Sequence, residues 1–192
     1  MTFFDAHQRA TIEAAMARII PTDDTPGARE ARTIDFLDRY LSGIDYIYAK
    51  PDGSGFEVLE GRRADAWRQR IELLRERYVA GAEALDVTAR ARFGGADFAT
   101  LEPERQDEVL RALETSSERA ALQQTYAEVD LEFVPLLALH TRQGFYADPI
   151  YGGNHERTGW DVIGFPGPAS LAEVHSGRYS TLSYFAGQEA SR

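Results

Sequence analysis

The sequence predicts a mainly α-helical fold: about five helices in one domain, followed by a long irregular segment rich in glycine, proline and aromatic residues. Three observations predict it. Apolar residues recur at helical spacing, as at Ile12, Met16 and Ile19 or at Trp67, Ile71, Leu74 and Tyr78. Capping and stop residues stand where the pattern changes, at Asp5, Pro21, Gly94-Gly95 and Pro103. Past residue 143 the periodicity ends, and "DPIYGGNHERTGWDVIGFPGP" (148–168) brings glycines, prolines and aromatics together. The expected organisation is a helical domain over 1–143 and an irregular segment over 144–192, packed on that domain and on a partner.

The first helix is expected to start near Asp5. Asp5 can cap it, Gln8 can return the bond, and Phe4 can staple onto the first turns. Pro21 ends it, and "PTDDTPGA" (21–28) is a turn-rich break. Thr25 followed by Pro26 reads as the cap and first position of a second helix. That helix has Ile34, Leu37, Leu41 and Ile44 on one side and Gly43 near its end. In "DYIYAKPDGSGFEVLEG" (45–61), aromatic and β-branched residues flank the turn signature Lys50-Pro51-Asp52-Gly53. A short hairpin near 46–59 and an ordered loop both fit.

A long helix follows over roughly 62–93. Its buried stripe is Trp67, Ile71, Leu74, Tyr78, Leu85 and Phe93, and Arg68, Arg70, Glu72, Arg75, Glu76 and Arg77 cover the other face. Gly81 is a point of interruption and Gly94-Gly95 a stop. Pro103 sits in the first turn of a shorter helix that turns Val109, Leu110 and Leu113 inward. A last long helix over about 117–142 carries Leu122, Tyr126, Val129, Phe133 and Leu137 on one face, with Pro135 expected to kink or split it. The following segment holds Phe145, Tyr146, Ile150, Tyr151, Trp160, Val162, Ile163 and Phe165. Disordered chains seldom carry so much apolar surface, so it is expected to be ordered.

Composition narrows the function. With 192 residues, 43% of them hydrophobic, the chain can bury a real core. A net charge of −10 argues against a nucleic-acid footprint and against docking on anionic membranes. No apolar run approaches the roughly 20 residues that span a bilayer. The absence of cysteine removes disulfides, iron–sulfur clusters and thiol nucleophiles. "MTFFDAHQRATIEAAMARII" has neither a basic region nor a twin-arginine pair before an apolar core. A cytoplasmic location is therefore expected, or a periplasmic one if a twin-arginine signal was removed or a partner carries it.

The motifs of familiar chemistry are missing. No GxSxG, GxGxxG or GxxxxGK[ST] occurs, and no HExxH or HxxH spacing. His140, on the apolar side of the last helix, reads as a hydrogen-bonded, semi-buried residue. The competing reading has His140, Asp148, His155 and Asp161 converging as a metal or acid–base site of an independent lyase or hydrolase. A helical binding module without an enzyme partner is a third reading. The glycines and prolines of 148–168 serve backbone geometry and stiffness, and Trp160 and the tyrosines are anchors of the kind interfaces use.

"GFYADPIYGGNHERTGWDVIGFPGP" (144–168) resembles the signature segment of the gluconate 2-dehydrogenase subunit 3 family. "IIPTDDTPGAREARTIDFLDRYL" (19–41) and "FATLEPERQDEVLRALE" (98–114) are similar to other parts of that family, in the expected order. The resemblance implies a non-catalytic small subunit with no cofactor of its own. Its partner would be a large FAD-dependent flavoprotein of the glucose–methanol–choline type, which oxidises a sugar or sugar acid, and a cytochrome subunit often takes the electrons. The small subunit would bind the flavoprotein and support its folding, and in the family it often carries a twin-arginine signal, which this sequence lacks. Family-like loop positions include Gly159 and Gly164. The residues expected to meet the partner are Phe145, Tyr146, Tyr151, Gly152, Gly153, Asn154, Trp160, Phe165, Pro166 and Gly167.

Overall fold

The structure, a computed structural model, describes residues 2–114 and 128–179. Helix α1 (Ala6–Ile19) begins as its capping box dictates: Asp5 Oδ1 accepts from Gln8 N–H at 2.7 Å, and Gln8 Oε1 accepts from Asp5 N–H at 3.3 Å. Its buried face, Ile12, Ala15 and Met16, is fully enclosed.

Helix α2 (Thr33–Ser42) starts seven residues after Pro26, later than the Thr25-Pro26 signature suggests. The reason lies in the turn before it. Asp23 Oδ1 accepts from Thr25 N–H, and Glu30 Oε2 accepts from Gly27 N–H and the Thr22 hydroxyl. The chain folds so tightly that a Cβ on Gly27 would overlap the Pro21 backbone. Side chains thus take the donors a helix would use, until Arg32, at φ +49°, reverses the chain.

Between α2 and α3 the chain makes a 3₁₀ turn (Ile44–Tyr46) and a hairpin-like loop. Ala49 and Phe56 form one antiparallel bridge, closed by Lys50 N–H to Gly55 O at 2.7 Å and Glu57 N–H to Tyr48 O at 2.8 Å. No strand forms among the described residues.

Helix α3 (Gly61–Arg92) has 32 residues, about 48 Å at 1.5 Å per residue. Gly81 does not interrupt it. Its bare Cα is where the Phe133 ring lies, so the glycine admits a neighbour into the helix surface. Ile71, Leu74, Tyr78 and Leu85 are buried as expected. The arginine face is not simply solvated. Arg75 donates to Leu41 O at 2.7 Å and to Ser42 O at 2.9 Å, satisfying carbonyls at the end of α2, and Arg77 donates to Leu131 O.

Helix α4 (Pro103–Leu113) has Pro103 at its start and buries Val109 and Leu110. The expected last helix differs at both ends. Its first part, with Leu122 and Tyr126, lies outside the described residues. Val129 falls in a 3₁₀ turn (Glu128–Asp130), and α5 runs from Phe133 to Tyr146. Pro135 produces no kink, because it stands in the first turn, where its missing N–H has no intrahelical partner to lose. The core lies where α1, α2, α3 and α5 meet, with α4 closing one side.

The segment after α5 is folded onto this body. It makes 3₁₀ turns (Pro149–Tyr151, His155–Arg157) and two short helices, α6 (Thr158–Val162) and α7 (Leu171–His175). No helix among the described residues is long and apolar enough to cross a membrane. Two of its glycines test how closely it must pack. A Cβ on Gly159 would overlap the Phe145 carbonyl, whereas one on Gly164 would meet nothing within 4 Å. In urea unfolding followed by circular dichroism, Gly159→Ala is expected to cost about 2–3 kcal/mol. Gly164→Ala, strained only by its φ of +66°, is expected to cost about 1 kcal/mol. Equal losses would refute the close approach.

Candidate functional site

An open groove of about 590 Å³ runs between α2, the 44–48 turn, the start of α3 and the end of α5. Phe36 and Tyr40 stand on α2 one turn apart, off its Ile34–Leu37–Leu41 stripe, and their rings stack at 5.9 Å. Tyr46, Ile47 and Tyr48 come from the turn, and Trp67 from α3. Trp67 meets Tyr48 edge to face at 5.8 Å and Tyr40 at 6.5 Å. Gln143, Tyr146 and Ala147 close the far side. Tyr151 completes the wall. Its hydroxyl accepts from Ala49 N–H at 3.3 Å and its ring meets Phe56 at 5.7 Å. Tyr46 is 38% exposed and Tyr146 41%, so large aromatic faces are left open to solvent.

Beneath the groove lies a buried polar network. Glu128 is its centre. One carboxylate oxygen accepts from His140 Nε2–H, the other from Arg70 (Nε at 3.0 Å) and from the Tyr40 hydroxyl at 3.1 Å. The Tyr78 hydroxyl meets His140 Nδ1 at 2.7 Å. Burial pushes the Glu128 carboxyl up, but the hydrogen bonds and charges of His140 and Arg70 outweigh it, and its pKa falls from 4.5 to about 2. Burial, with the Glu128 charge in support, pushes the Tyr40 and Tyr78 hydroxyls up. Tyr78 and His140 are fully enclosed, so the inner part of this network is shut off from solvent, while Tyr40 reaches the groove wall.

His140 is therefore hydrogen-bonded as the sequence suggests, but fully buried rather than semi-buried. The other members of the competing set have their own local bonds. Asp148 Oδ1 accepts from Ile150 N–H at 2.9 Å, His155 Nε2 stands 3.7 Å from Glu156, and Asp161 is exposed. Among the described residues no group of three His, Asp or Glu is placed to hold a metal ion.

The residues expected to meet a partner divide into two sets. Phe145, Gly153, Asn154 and Trp160 are buried in the chain's own fold. Asn154, with no exposed surface, donates to Ala147 O and accepts from Gly159 N–H; Trp160 Nε1–H donates to Tyr146 O at 2.8 Å. Gly152 sits against Arg39, and Gly167 against the Trp160 ring. Tyr146, Tyr151, Phe165 and Pro166 keep accessible surface. Sequence reasoning missed the groove. Its signal is the surplus of rings at Phe36, Tyr40, Tyr46 and Tyr48, which no helical stripe requires. Trp67, whose spacing places it on the buried stripe, is half-buried and lines the groove.

Fold and site together define a helical chain with a self-packed glycine-rich segment and an open aromatic groove. The chain belongs to the gluconate 2-dehydrogenase subunit 3 family, whose model matches residues 6–167. No curated protein and no solved structure matches it.

The network gives a pH-dependent prediction. A carboxyl whose pKa is lowered on folding stabilises fully above its unfolded value and loses that contribution as pH falls through its folded value. For Glu128 the window runs from about 4.5 down to about 2. Glu128→Gln is expected to cost about 3 kcal/mol at pH 7, since it leaves Arg70 without its buried partner. The gap to the unaltered protein should narrow in unfolding curves taken from pH 5 to pH 3. A gap that stays constant would show that Glu128 is not ionised in the fold.

Proposed function

We propose that the chain is the non-catalytic small subunit of a heteromeric FAD-dependent sugar or sugar-acid dehydrogenase. Its partner is a flavoprotein of the glucose–methanol–choline type, which holds the FAD and oxidises the substrate; a cytochrome subunit then receives the electrons. The single observation that carries the reading is the family match over residues 6–167, which spans the 21–28 turn, the long helix and the 144–167 segment. The open aromatic groove supports it, because exposed tyrosine and tryptophan faces are what protein interfaces enrich.

The contribution of such a subunit is mass action. Binding only the folded flavoprotein stabilises it, by about 2.7 kcal/mol when the free subunit stands at a hundred times its Kd. A permanent interface of this kind buries on the order of 2,000 Å² or more. Expression of the flavoprotein without this chain is expected to give little soluble, flavin-loaded protein. Co-expression should restore both the yellow absorbance and the sugar-dependent reduction of an artificial acceptor. A flavoprotein made alone with full flavin content, activity and thermal stability would overturn the role.

A further inference from the structure

We infer that the aromatic groove receives an apolar segment of the flavoprotein partner that is flanked by carboxylates. The inference rests on the reading above that the partner is a flavoprotein, and adds where it docks and by what chemistry. The walls are apolar and aromatic, and no carboxylate or lysine lines them. Three arginines stack on three of the groove's rings: Arg63 over Tyr48 at 4.2 Å, Arg70 over Trp67 at 5.0 Å and Arg39 over Tyr46 at 5.3 Å. This placement stands out in a chain where 31 acidic residues face 21 basic ones.

The three charges are not equally spent. Arg70 is neutralised by Glu128. Arg63 stands 3.6 Å from Glu57 with both side chains about half exposed, a surface pair that holds its charge weakly. Arg39 donates to the Ile150 carbonyl and meets no carboxylate at ion-pair distance among the described residues. Arg39 and Arg63 therefore place positive charge over Tyr46 and Tyr48, on the 44–48 wall of the groove, in a chain of net charge −10, and such charge attracts acidic groups. The groove is also open to solvent. A small-molecule site encloses most of its ligand, whereas an open trough lets a polypeptide enter and leave. A second copy of this chain is a poor occupant, since each copy carries a net charge of −10.

Gln143 makes the test clean. It is exposed and lines the groove, and its side chain forms no hydrogen bond with the described residues. Calorimetric titration of the purified, FAD-loaded flavoprotein is run with the unaltered chain and with Gln143→Glu, Gln143→Arg and Arg63→Glu. Gln143→Glu and Arg63→Glu are each expected to weaken binding by roughly tenfold or more, with unchanged thermal midpoints. Gln143→Arg should bind at least as tightly as the unaltered chain, and added salt should weaken all complexes. Equal affinity for all four would overturn the groove as the docking site while the small-subunit role stands. An unaltered chain that fails to bind the flavoprotein would overturn both. A dimer of this chain in sedimentation that Gln143→Glu dissociates would give the groove to a second copy and overturn the proposal.

Discussion

The arrangement depends on the missing side chain at Gly144. On one side of α5 a Cβ there would stand 3.0 Å from Thr33 O and 3.2 Å from Phe36, so α2 lies against bare backbone. The 152–154 chain approaches the same residue through a missing side chain of its own, at Gly153. Gly153 packs on Gly144 with no room for a Cβ, and Gly144 O accepts from Asn154 N–H at 2.7 Å. One glycine thus receives a helix and a loop at once. Packed interiors do not stretch to absorb an added methyl. The separation of α2 from α5 is therefore fixed, and with it the width of the groove between Phe36 and Tyr40 on one wall and Gln143, Tyr146 and Ala147 on the other.

The buried network does for orientation what Gly144 does for distance. A buried carboxylate is costly unless paired and hydrogen-bonded. Glu128 is both, and its partners come from three helices: Tyr40 on α2, Arg70 on α3 and His140 on α5. Satisfying it leaves few alternative arrangements of these elements. Two of the network's attachments reach the groove directly, because Tyr40 lines it and Arg70 stacks on Trp67. The floor of the groove is accordingly held in place before anything binds, which lowers the ordering cost of association.

The sequence exposed what is local and concealed what is not. The capping box at Asp5, the stop at Gly94-Gly95 and the stripe Ile71–Leu74–Tyr78 were legible because each depends on residues within a turn or two. The start of α2 was not. Thr25-Pro26 is a sound cap, but Asp23 and Glu30 bind the same backbone first. Pro135 is expected to kink or split a helix that runs from about 117; in a helix that begins at Phe133 it stands in the first turn and is tolerated. Glu128 and Arg70 lie 58 residues apart, and no periodicity links them. The groove has the same character: its aromatics come from five separate stretches, and apart from Tyr146 and Tyr151 each reads alone as ordinary core or turn.

The glycine-rich segment shows how a distinctive stretch can act at a distance from the surface it serves. Its glycines suggested a face made for another chain, since glycine permits close backbone approach. Much of that approach is made to the chain's own α5, at Gly144 and Phe145. The segment still shapes the groove. Asp148 caps the turn that presents Tyr151, Arg39 holds that turn through Ile150 O, and Trp160 anchors to the Tyr146 carbonyl. Tyr146, which accepts the Trp160 bond, and Tyr151, the neighbour of the twice-bonded Ile150, are groove walls. The buried members of the segment thus set the position of its accessible members. A substitution at Asn154 or Gly153 would therefore shift groove walls that neither residue lines.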